Sequence, residues 1–255
     1  MPNAPDLFIA LALSLAIQAV FFVFAASFRT DKVTDLSYGL TFILLAVFLL
    51  FRHPPVTGPS LVVTLMVVAW GVRLAGYLFF RIMRMKRDKR FDGIREHFWK
   101  FFQFWFFQGV VVWIIMLPVI LWFGTAGPWN LWMTIGLAVW GTGLAVETVA
   151  DAQKFRFKSQ PGGGGRWIDS GLWRLSRHPN YFGEILCWWG VFAFTIPDLG
   201  TWVWAGAVGP VTLTLILLFF TGIPTLEKSA REKWGDNPEY RAYRERTRLL
   251  VPWPK

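Results

Sequence analysis

The sequence predicts an all-α integral membrane protein, and three observations lead to this prediction. Of its 255 residues, 55% are hydrophobic and only 16% are charged. The apolar residues form runs of about 20, the length that crosses the ~30 Å hydrocarbon core of a bilayer. All but one of the 26 Lys and Arg residues lie outside these runs, and the exception is Arg73. A soluble domain of this size does not need so much apolar surface, so we expect a bundle of transmembrane helices.

About seven apolar runs are long enough to span a membrane, with the approximate bounds 7–28, 35–51, 60–80, 101–123, 129–150, 181–196 and 201–223. The first run is longer than a signal-peptide core. It also lacks a basic start and a small-residue cleavage pattern before the polar segment 29–32. We therefore expect it to remain in the mature protein as the first transmembrane helix.

Basic residues fall on one side of the predicted bundle. When seven spans are threaded alternately, one side holds all but two of the Lys and Arg residues, in the segments 29–34, 81–100, 151–178 and 224–255. Cytoplasmic segments carry an excess of Lys and Arg, so we expect the N-terminus outside and the C-terminus in the cytoplasm. Topology and attraction to anionic lipid or a phosphorylated ligand explain the net charge of +10. No nucleic-acid module is needed.

Several other classes of protein are disfavoured by the sequence. There is no fixed-period repeat and no Pro/Ser-rich linker, so residues 1–255 are expected to form a single membrane domain. The single cysteine, Cys187, excludes an internal disulfide and is expected to be a packing residue. Three scattered His and one Cys form no metal-ligand set, and no nucleophile–base triad is readable.

Polar side chains concentrate in residues 147–184, at the predicted inner membrane surface. Glu147 and Asp151 are four residues apart, so on a helix both carboxylates face the same way. Basic residues follow them at Lys154, Arg156, Lys158, Arg166, Arg174 and Arg177. Carboxylates suit sugar hydroxyls and basic groups suit phosphate oxygens, so this wall favours a ligand that carries both. The alternative is an ordinary positive-inside loop, and the four glycines 162–165 fit either interpretation.

The stretch Ser176–Glu184 is densely polar and leads directly into an apolar run that begins at Ile185. Pro179 suits the first turn of a helix, on which Asn180 and Glu184 share one face. Charged and amide groups at a membrane boundary cost several kcal/mol unless polar partners satisfy them. A bound ligand is the economical explanation, and the protein is therefore expected to be catalytic or ligand-binding.

The stretch Gly171–Glu184, followed by Trp188-Trp189-Gly190, resembles the C-terminal domain of the steroid 5-alpha reductase family. The resemblance extends back to Asp151 and forward through the tail 237–253, and the whole chain resembles that family's bacterial relatives. The tail and the Arg-His-Pro-Asn-Tyr core also resemble the isoprenylcysteine carboxyl methyltransferases and the sterol C14 reductases. The signature thus indicates a superfamily better than it indicates one reaction.

The reductase resemblance implies that NADPH binds in a C-terminal half, residues 147–255, while the helices of residues 1–146 shape a substrate cavity. The reaction implied is reduction of a carbon–carbon double bond conjugated to a carbonyl, in a lipid-like substrate. Cofactor-contacting positions of the family fall on Asp151, Lys158, Arg166, Asn180 and Glu184. We expect further cofactor contacts from Arg174, Arg177, His178 and Tyr181.

Two positions depart from the steroid enzymes. Lys158 replaces an arginine, which keeps the charge but loses the bidentate fork. The pair His178-Pro179 is closer to the sterol reductases and methyltransferases, and this difference leaves the substrate open.

Enone reduction also needs a donor that polarises the carbonyl oxygen, for which a tyrosine supported by a carboxylate is well suited. In the reductase family a carboxylate of the second span and a tyrosine of the third supply it, which implies Asp35 and Tyr77 here. Tyr38, Arg73 and Glu147 are expected to contact substrate or support the site. The alternatives are that Asp35 caps a helix, Tyr77 is an interfacial aromatic residue, and Arg73 pairs with Asp35 or Glu147.

Three functions remain open from the sequence. The first is the NADPH-dependent enone reductase. The second is a methyltransferase that uses S-adenosylmethionine, whose cationic sulfur and lack of phosphate do not explain the basic cluster. The third is a non-enzymatic lipid-binding membrane protein.

For the reductase we expect a lipid-like substrate and contact with membrane lipids. The expected location is the bacterial cytoplasmic membrane, with the cofactor site facing the cytoplasm. Oligomeric state stays open, because membrane helix interfaces need not differ in hydrophobicity from lipid-facing surfaces.

Overall fold

The computed structural model describes residues 4–85, 93–160, 162 and 165–254, and for residues 78–85 only the backbone. Gly163, Gly164 and residues 86–92 of the basic segment 81–100 therefore lie outside the described residues. Helices and their connections make up nearly all of what is described. The predicted all-α fold is confirmed.

Ten α-helices are present in the described residues, α1 (Ala4–Ser27), α2 (Thr34–Arg52), α3 (Gly58–Met85), α4 (Phe98–Ile115), α5 (Leu117–Phe123), α6 (Leu131–Ser159), α7 (Pro179–Leu199), α8 (Val203–Leu215), α9 (Ile223–Trp234) and α10 (Pro238–Arg246). The predicted fourth span is divided into α4 and α5, with Pro118 in the first turn of α5. The fifth continues as α6 to Ser159, so the polar residues from Glu147 to Lys158 lie on one continuous helix.

Six helical segments of the described chain are long and apolar enough to cross a membrane, and the last runs from Pro179 to Trp234. This 56-residue segment contains both the sixth and the seventh predicted spans. They are joined by a 3-10 turn, Gly200–Trp202, in which Gly200 adopts a φ of +54°. The protein is thus an integral membrane protein, and its orientation in the membrane remains a prediction.

The chain divides into two compact units. The first unit contains Met1–Ile135 and Val191–Gly209, and the second contains Gly136–Gly190 and Pro210–Lys255. In the first unit α2 and α3 pack closely, as the position of Gly39 shows: a Cβ added there would lie 2.9 Å from the Cβ of Ala75.

A polar network crosses the interior of the first unit. The Gln18 amide nitrogen donates to Thr41 Oγ1 at 2.8 Å, and the Gln108 amide nitrogen donates to Gln18 Oε1 at 3.0 Å. Gln108 also donates to Ser37 Oγ at 3.1 Å. These groups satisfy one another, which lets a bundle of apolar helices bury amides and hydroxyls without a large free-energy penalty.

In the second unit α6 and α7 pack backbone against backbone. A Cβ at Gly183 would lie 2.6 Å from the backbone nitrogen of Glu147, and one at Gly190 would lie 2.5 Å from that of Trp140. Glycine allows such close approach because it has no side chain. These contacts show that the helices are antiparallel, so the C-terminal part of α6 lies beside the start of α7.

Candidate functional site

A cavity of about 180 Å³ lies wholly within the second unit. It is formed by the end of α6, the connection from Arg166 to His178, and the helices α9 and α10. Its lining residues are Lys154, Phe157, Lys158, Arg166, Trp167, Ile168, Trp173, Arg177, His178, Leu226, Glu227, Ser229, Ala230, Lys233, Trp234, Tyr240 and Tyr243.

Hydrogen bonds from aromatic side chains to the backbone hold the cavity walls together. The indole nitrogen of Trp173 donates to the carbonyl of Ala150 at 2.9 Å, which attaches the connection to α6. The hydroxyl of Tyr243 donates to the carbonyl of Trp173 at 2.8 Å, which attaches α10 to the same connection. The indole of Trp234 donates to the carbonyl of Gly165 at 2.9 Å. Each bond joins elements distant in sequence, so the cavity depends on all of them.

The start of α10 is determined locally by its sequence. Asn237 is the N-cap, and its Oδ1 accepts from the backbone nitrogens of Glu239 at 2.8 Å and Tyr240 at 3.3 Å. Pro238 follows in the first turn, where its missing N–H costs nothing. This start fixes the helix that carries Tyr240 and Tyr243, three residues apart and both buried.

The C-terminal tail fastens the segment before α7. The backbone nitrogen of Arg177 donates to the carbonyl of Arg248 at 2.9 Å, and Ser176 Oγ donates to the carbonyl of Leu250 at 2.7 Å. Ser176 and Arg248 also form an isolated parallel β-bridge. These bonds hold the backbone on which Arg177 and His178 are presented to the cavity.

His178 and Glu227 form a polar side-chain pair in the cavity lining. Nε2 of His178 lies 2.9 Å from Oε1 of Glu227, and the imidazole is 5% exposed. Burial lowers the pKa of His178 and Glu227 partly opposes this, so the ring is neutral near pH 7. A carboxylate accepts only, so Nε2 carries the proton and Nδ1 keeps its lone pair. Among the described residues, buried Nδ1 has no hydrogen-bond partner.

Aromatic rings form one wall of the cavity. The ring centroid of Trp167 lies 5.2 Å from that of Tyr240 and 6.4 Å from that of Tyr243, and Trp234 lies 5.8 Å from Tyr240. Burial raises the pKa of both tyrosines above the usual value, so their hydroxyls stay protonated. The Tyr243 hydroxyl already donates to the carbonyl of Trp173. The wall therefore offers flat apolar faces together with the neutral hydroxyl of Tyr240, which suits a planar ring system.

The charge of the cavity lining is strongly positive. Among the described residues that line it, Glu227 is the only carboxylate residue, whereas the basic residues are Lys154, Lys158, Arg166, Arg177 and Lys233. Lys154 also places its Nζ 4.7 Å from the ring centroid of Trp173. Such an excess of cations favours an anionic ligand.

The predicted cofactor residues fall into two groups. Lys158, Arg166, Arg177 and His178 line the cavity. Tyr181 lies next to them, its ring stacked on His178 with centroids 5.9 Å apart.

The second group lies where α6 meets α7. It consists of Asp151, Asn180 and Glu184. Glu147, which was expected to contact substrate or support the site, lies with them, and all three carboxylate residues are buried. Oδ1 of Asn180 is buried and has no hydrogen-bond partner in the described part of the chain. Arg174 is exposed and belongs to neither group.

The predicted catalytic residues lie in the first unit. Asp35 and Tyr38 are in the first turns of α2, and the Arg73 guanidinium lies 5.8 Å from the ring centroid of Tyr77 on α3. Phe42 on α2 contacts Trp70 on α3, with their ring centroids 5.1 Å apart. Asp35 lies seven residues before Phe42, and Tyr77 lies seven residues after Trp70. Since α2 and α3 are antiparallel, Asp35 and Tyr77 lie at the same level of adjacent helices.

Sequence reasoning missed much of the cavity lining, including Glu227, Trp167, Tyr240 and Tyr243. Glu227 is one of five carboxylate residues in the basic segment 224–255, and no motif distinguishes it from the others. The two tyrosines are three apart after an Asn-Pro helix start, a pattern that predicts one helix face but not what that face contacts.

Comparison with protein-family models shows which family this chain belongs to. The family model described as "Protein of unknown function (DUF1295)" matches residues 21–247. The chain belongs to the DUF1295 family. Steroid 5-alpha-reductase DET2 of Solanum lycopersicum is 40% identical to this DUF1295 chain over 72 residues, which are 28% of this chain and 25% of that protein. The protein of the same name from Arabidopsis thaliana is 35% identical over 83 residues, 31% and 29% of the two chains.

A methyltransferase is also similar to this DUF1295 chain. Methanethiol S-methyltransferase 1 of Bradyrhizobium diazoefficiens is 33% identical over 82 residues, 32% of this chain and 25% of that protein. The chain thus spans less than a third of the length of each of these curated relatives. No solved structure matches it. The resemblance to steroid 5-alpha reductases is confirmed, and the similarity to a methyltransferase agrees with the broader superfamily signature.

Proposed function

We propose that this DUF1295 protein is a membrane-embedded, NADPH-dependent reductase of a carbon–carbon double bond conjugated to a carbonyl in a lipid-like substrate. The observation that carries the proposal is the charge of the cavity, with five basic residues and one carboxylate residue. A dinucleotide phosphate presents several phosphate groups to such a site. S-adenosylmethionine has no phosphate and carries a positive charge at sulfur, so the same lining disfavours it.

Binding would use both features of the cavity. Lys158 precedes the four glycines 162–165 in the sequence and Arg166 follows them, and both residues line the cavity. Both are exposed, so they can meet phosphate oxygens. Trp167 and Tyr240 offer ring faces to a planar base. Neutral His178 presents Nδ1 as an acceptor, because its Nε2–H donates a hydrogen bond to Glu227.

The chemistry then requires orientation and one acid. When bound, NADPH supplies the hydride from its nicotinamide. In the proposed mechanism the hydroxyl of Tyr77 donates a hydrogen bond to the substrate carbonyl oxygen and stabilises the negative charge that develops there. Asp35, at the same level of the neighbouring helix, supports that hydroxyl. Both roles are proposals from the family resemblance and from the register of α2 and α3.

A methyltransferase is the second candidate function, and two observations favour it. One is the similarity to methanethiol S-methyltransferase 1. The other is the position of Glu227 in a cavity with aromatic walls, since a carboxylate binds an amino group and ring faces attract a sulfonium cation. The excess of basic residues in the same lining makes this the weaker candidate.

Ligand binding by the purified full chain in detergent tests the proposal. NADPH, NADH and S-adenosylmethionine are titrated separately by calorimetry, and the nicotinamides also by fluorescence. Tighter binding of NADPH than of NADH, with no binding of S-adenosylmethionine, is the expected result, and a screen of enone substrates follows it. Binding of S-adenosylmethionine alone would assign the protein to the methyltransferases, and binding of no ligand would count against both enzymes.

A further inference from the structure

A second groove borders the cavity within the second unit and has a volume of about 640 Å³. Four arginines line it, Arg177, Arg231, Arg241 and Arg244, together with the carboxylates Asp236 and Glu245. We call it the arginine groove. Arg177 lines both the groove and the cavity, so the two spaces are neighbours.

The arginines at the inner side of this groove are not fully neutralised. Arg177 and Arg244 both pair with one oxygen, Oε2 of Glu227, at 3.4 and 3.6 Å. The other oxygen of Glu227 is already bonded to His178. Glu227 is therefore the shared ion-pair partner of two guanidinium groups, and both nitrogen–oxygen distances are long for an ion pair. The Nε atoms of Arg177 and Arg244 are buried, and neither has a hydrogen-bond partner among the residues described.

Within the described part of the chain, the arginines at the outer side of the groove also make few contacts. Arg241 pairs with Asp236 at 3.4 Å, and both side chains are largely exposed. Arg231 donates its Nε to the backbone carbonyl of Glu227 at 3.4 Å, which leaves its charge uncompensated by that bond. Each guanidinium carries five N–H donors in a planar fork that matches phosphate oxygens. A small dianion with several oxygens, such as a phosphate monoester, supplies both the charge and the acceptors that the groove lacks.

NADPH differs from NADH only by a phosphate monoester on the 2′-oxygen of its adenosine ribose. The geometry points to the arginine groove as the site of this 2′-phosphate and hence as the determinant of preference for NADPH over NADH. The inference rests on the proposed reductase function. Arg177 lines both spaces, so a nucleotide whose base lies against the aromatic wall of the cavity would reach the arginine groove past this residue.

A lipid headgroup with a phosphate monoester has the same chemistry, so the experiment has to separate the two sources. Arg231→Gln and Arg244→Gln remove charge from the groove, and Arg231 is exposed, so its replacement leaves the packing intact. Arg246→Gln is the matched control, because Arg246 lies on α10 outside the groove, exposed and 3.6 Å from Asp169. The full chain is reconstituted in phosphatidylcholine nanodiscs and titrated with NADPH and with NADH.

Each groove variant is expected to raise the Kd for NADPH about ten- to a hundredfold, the range for losing a charged hydrogen bond, and to change the Kd for NADH less than about twofold. The control is expected to change neither value. Equal weakening of both nucleotides, or no change in either, would overturn the inference. Native mass spectrometry measures whether the chain retains phosphatidic acid, which tests a lipid headgroup as the source of the phosphate monoester in the groove. Loss of that lipid in the groove variants, with an unchanged preference for NADPH, would also overturn it.

The failure of the proposed function gives a different result. A wild-type chain that binds neither nucleotide would remove the reductase proposal and the inference with it. A wild-type chain that binds NADPH more tightly than NADH, with the same preference in the groove variants, would leave the reductase standing and locate the 2′-phosphate elsewhere.

Discussion

Nε2 of His178 lies 2.9 Å from Oε1 of Glu227, and this contact joins two segments that are 49 residues apart in sequence. It fixes the imidazole tautomer, because a carboxylate accepts only and the proton must lie on Nε2. The remaining oxygen of Glu227 faces two arginines. One carboxylate thus orients a neutral base and partly neutralises two cations at the border between the cavity and the arginine groove.

Replacement of Glu227 by Gln is expected to destabilise the protein. The amide still accepts from His178, but Arg177 and Arg244 lose their shared negative charge in a site where the Glu227 side chain is only 12% exposed. A loss of about 1–3 kcal/mol is expected for hydrogen bonds to charged groups. Thermal unfolding in detergent, followed by tryptophan fluorescence, measures it. Glu232→Gln, an exposed position on the same helix, is the control, and equal effects of the two changes would contradict the role of Glu227.

Stability is expected to fall as the pH is lowered through the range in which His178 titrates. Burial lowers the pKa of His178 from 6.5, with Glu227 opposing, so the unfolded chain takes up a proton more readily than the folded one. The stability that this residue contributes is complete above pH 6.5, its ordinary pKa, and is lost as the pH falls through the lowered value. Thermal midpoints measured from about pH 7.5 to about pH 5.5 test this.

His178→Gln is expected to flatten this pH dependence, since glutamine does not titrate. His97→Gln, at the exposed start of α4, is the matched control and is expected to retain it. An unchanged slope in the His178 variant would show that another group determines the pH dependence.

The helices were predictable because each depends on local composition. The first span was predicted at 7–28 and α1 is Ala4–Ser27, and the second was predicted at 35–51 and α2 is Thr34–Arg52. The shared face of Glu147 and Asp151 was also predictable from helical spacing alone, and both are buried. Hydropathy did not predict that the last two spans are joined by a single 3-10 turn, because Gly200 resembles a loop residue in sequence.

Only some of the residues that line the cavity could be predicted from the sequence. Its basic residues Lys158, Arg166 and Arg177 lie in one polar stretch, which the sequence shows directly. Glu227 and Tyr240 belong to helices whose docking depends on bonds such as that from Tyr243 to the carbonyl of Trp173. Pairing between segments about 70 residues apart leaves no periodic signal in one sequence, so these residues became visible only in the fold.

Replacement of Lys158 by Ala is expected to weaken binding of NADPH. Lys158 lines the cavity, whereas Arg156, two residues earlier on the same helix, is exposed and does not line it. Loss of one charged contact corresponds to about 1.5–3 kcal/mol, or about ten- to a hundredfold in Kd. Arg156→Ala is expected to leave the Kd unchanged. Calorimetric titration of both variants is the measurement, and similar losses in the two would indicate a general electrostatic effect in place of a specific contact.

Replacement of Gly183 by Ala is expected to disrupt the packing of α6 against α7. The new Cβ would lie 2.6 Å from both the backbone nitrogen of Glu147 and the backbone oxygen of Gly143, and backbone atoms cannot rotate away. Overpacking of this kind costs about 1–3 kcal/mol or more. Gly141→Ala is the matched control, because nothing lies within 4 Å of its Cβ position and alanine favours the helix. Thermal unfolding should show a lower midpoint for the first variant and an unchanged or higher one for the second.

Replacement of Tyr77 by Phe is expected to reduce turnover without weakening cofactor binding. Phenylalanine keeps the ring that lies 5.8 Å from the Arg73 guanidinium but removes the proposed donor to the substrate carbonyl. Loss of one such donor corresponds to about 10²–10³ in kcat. Tyr38→Phe on α2, whose ring contacts Phe42 at 5.1 Å, is expected to reduce turnover less, because Tyr38 is expected only to support the site, and an equal loss would move the donor role to Tyr38. Enone-dependent oxidation of NADPH gives the rate, and nicotinamide fluorescence gives the Kd. Unchanged turnover in Tyr77→Phe would assign the acid to another residue, whereas a loss of cofactor binding in parallel with turnover would indicate a structural role for the Tyr77 hydroxyl.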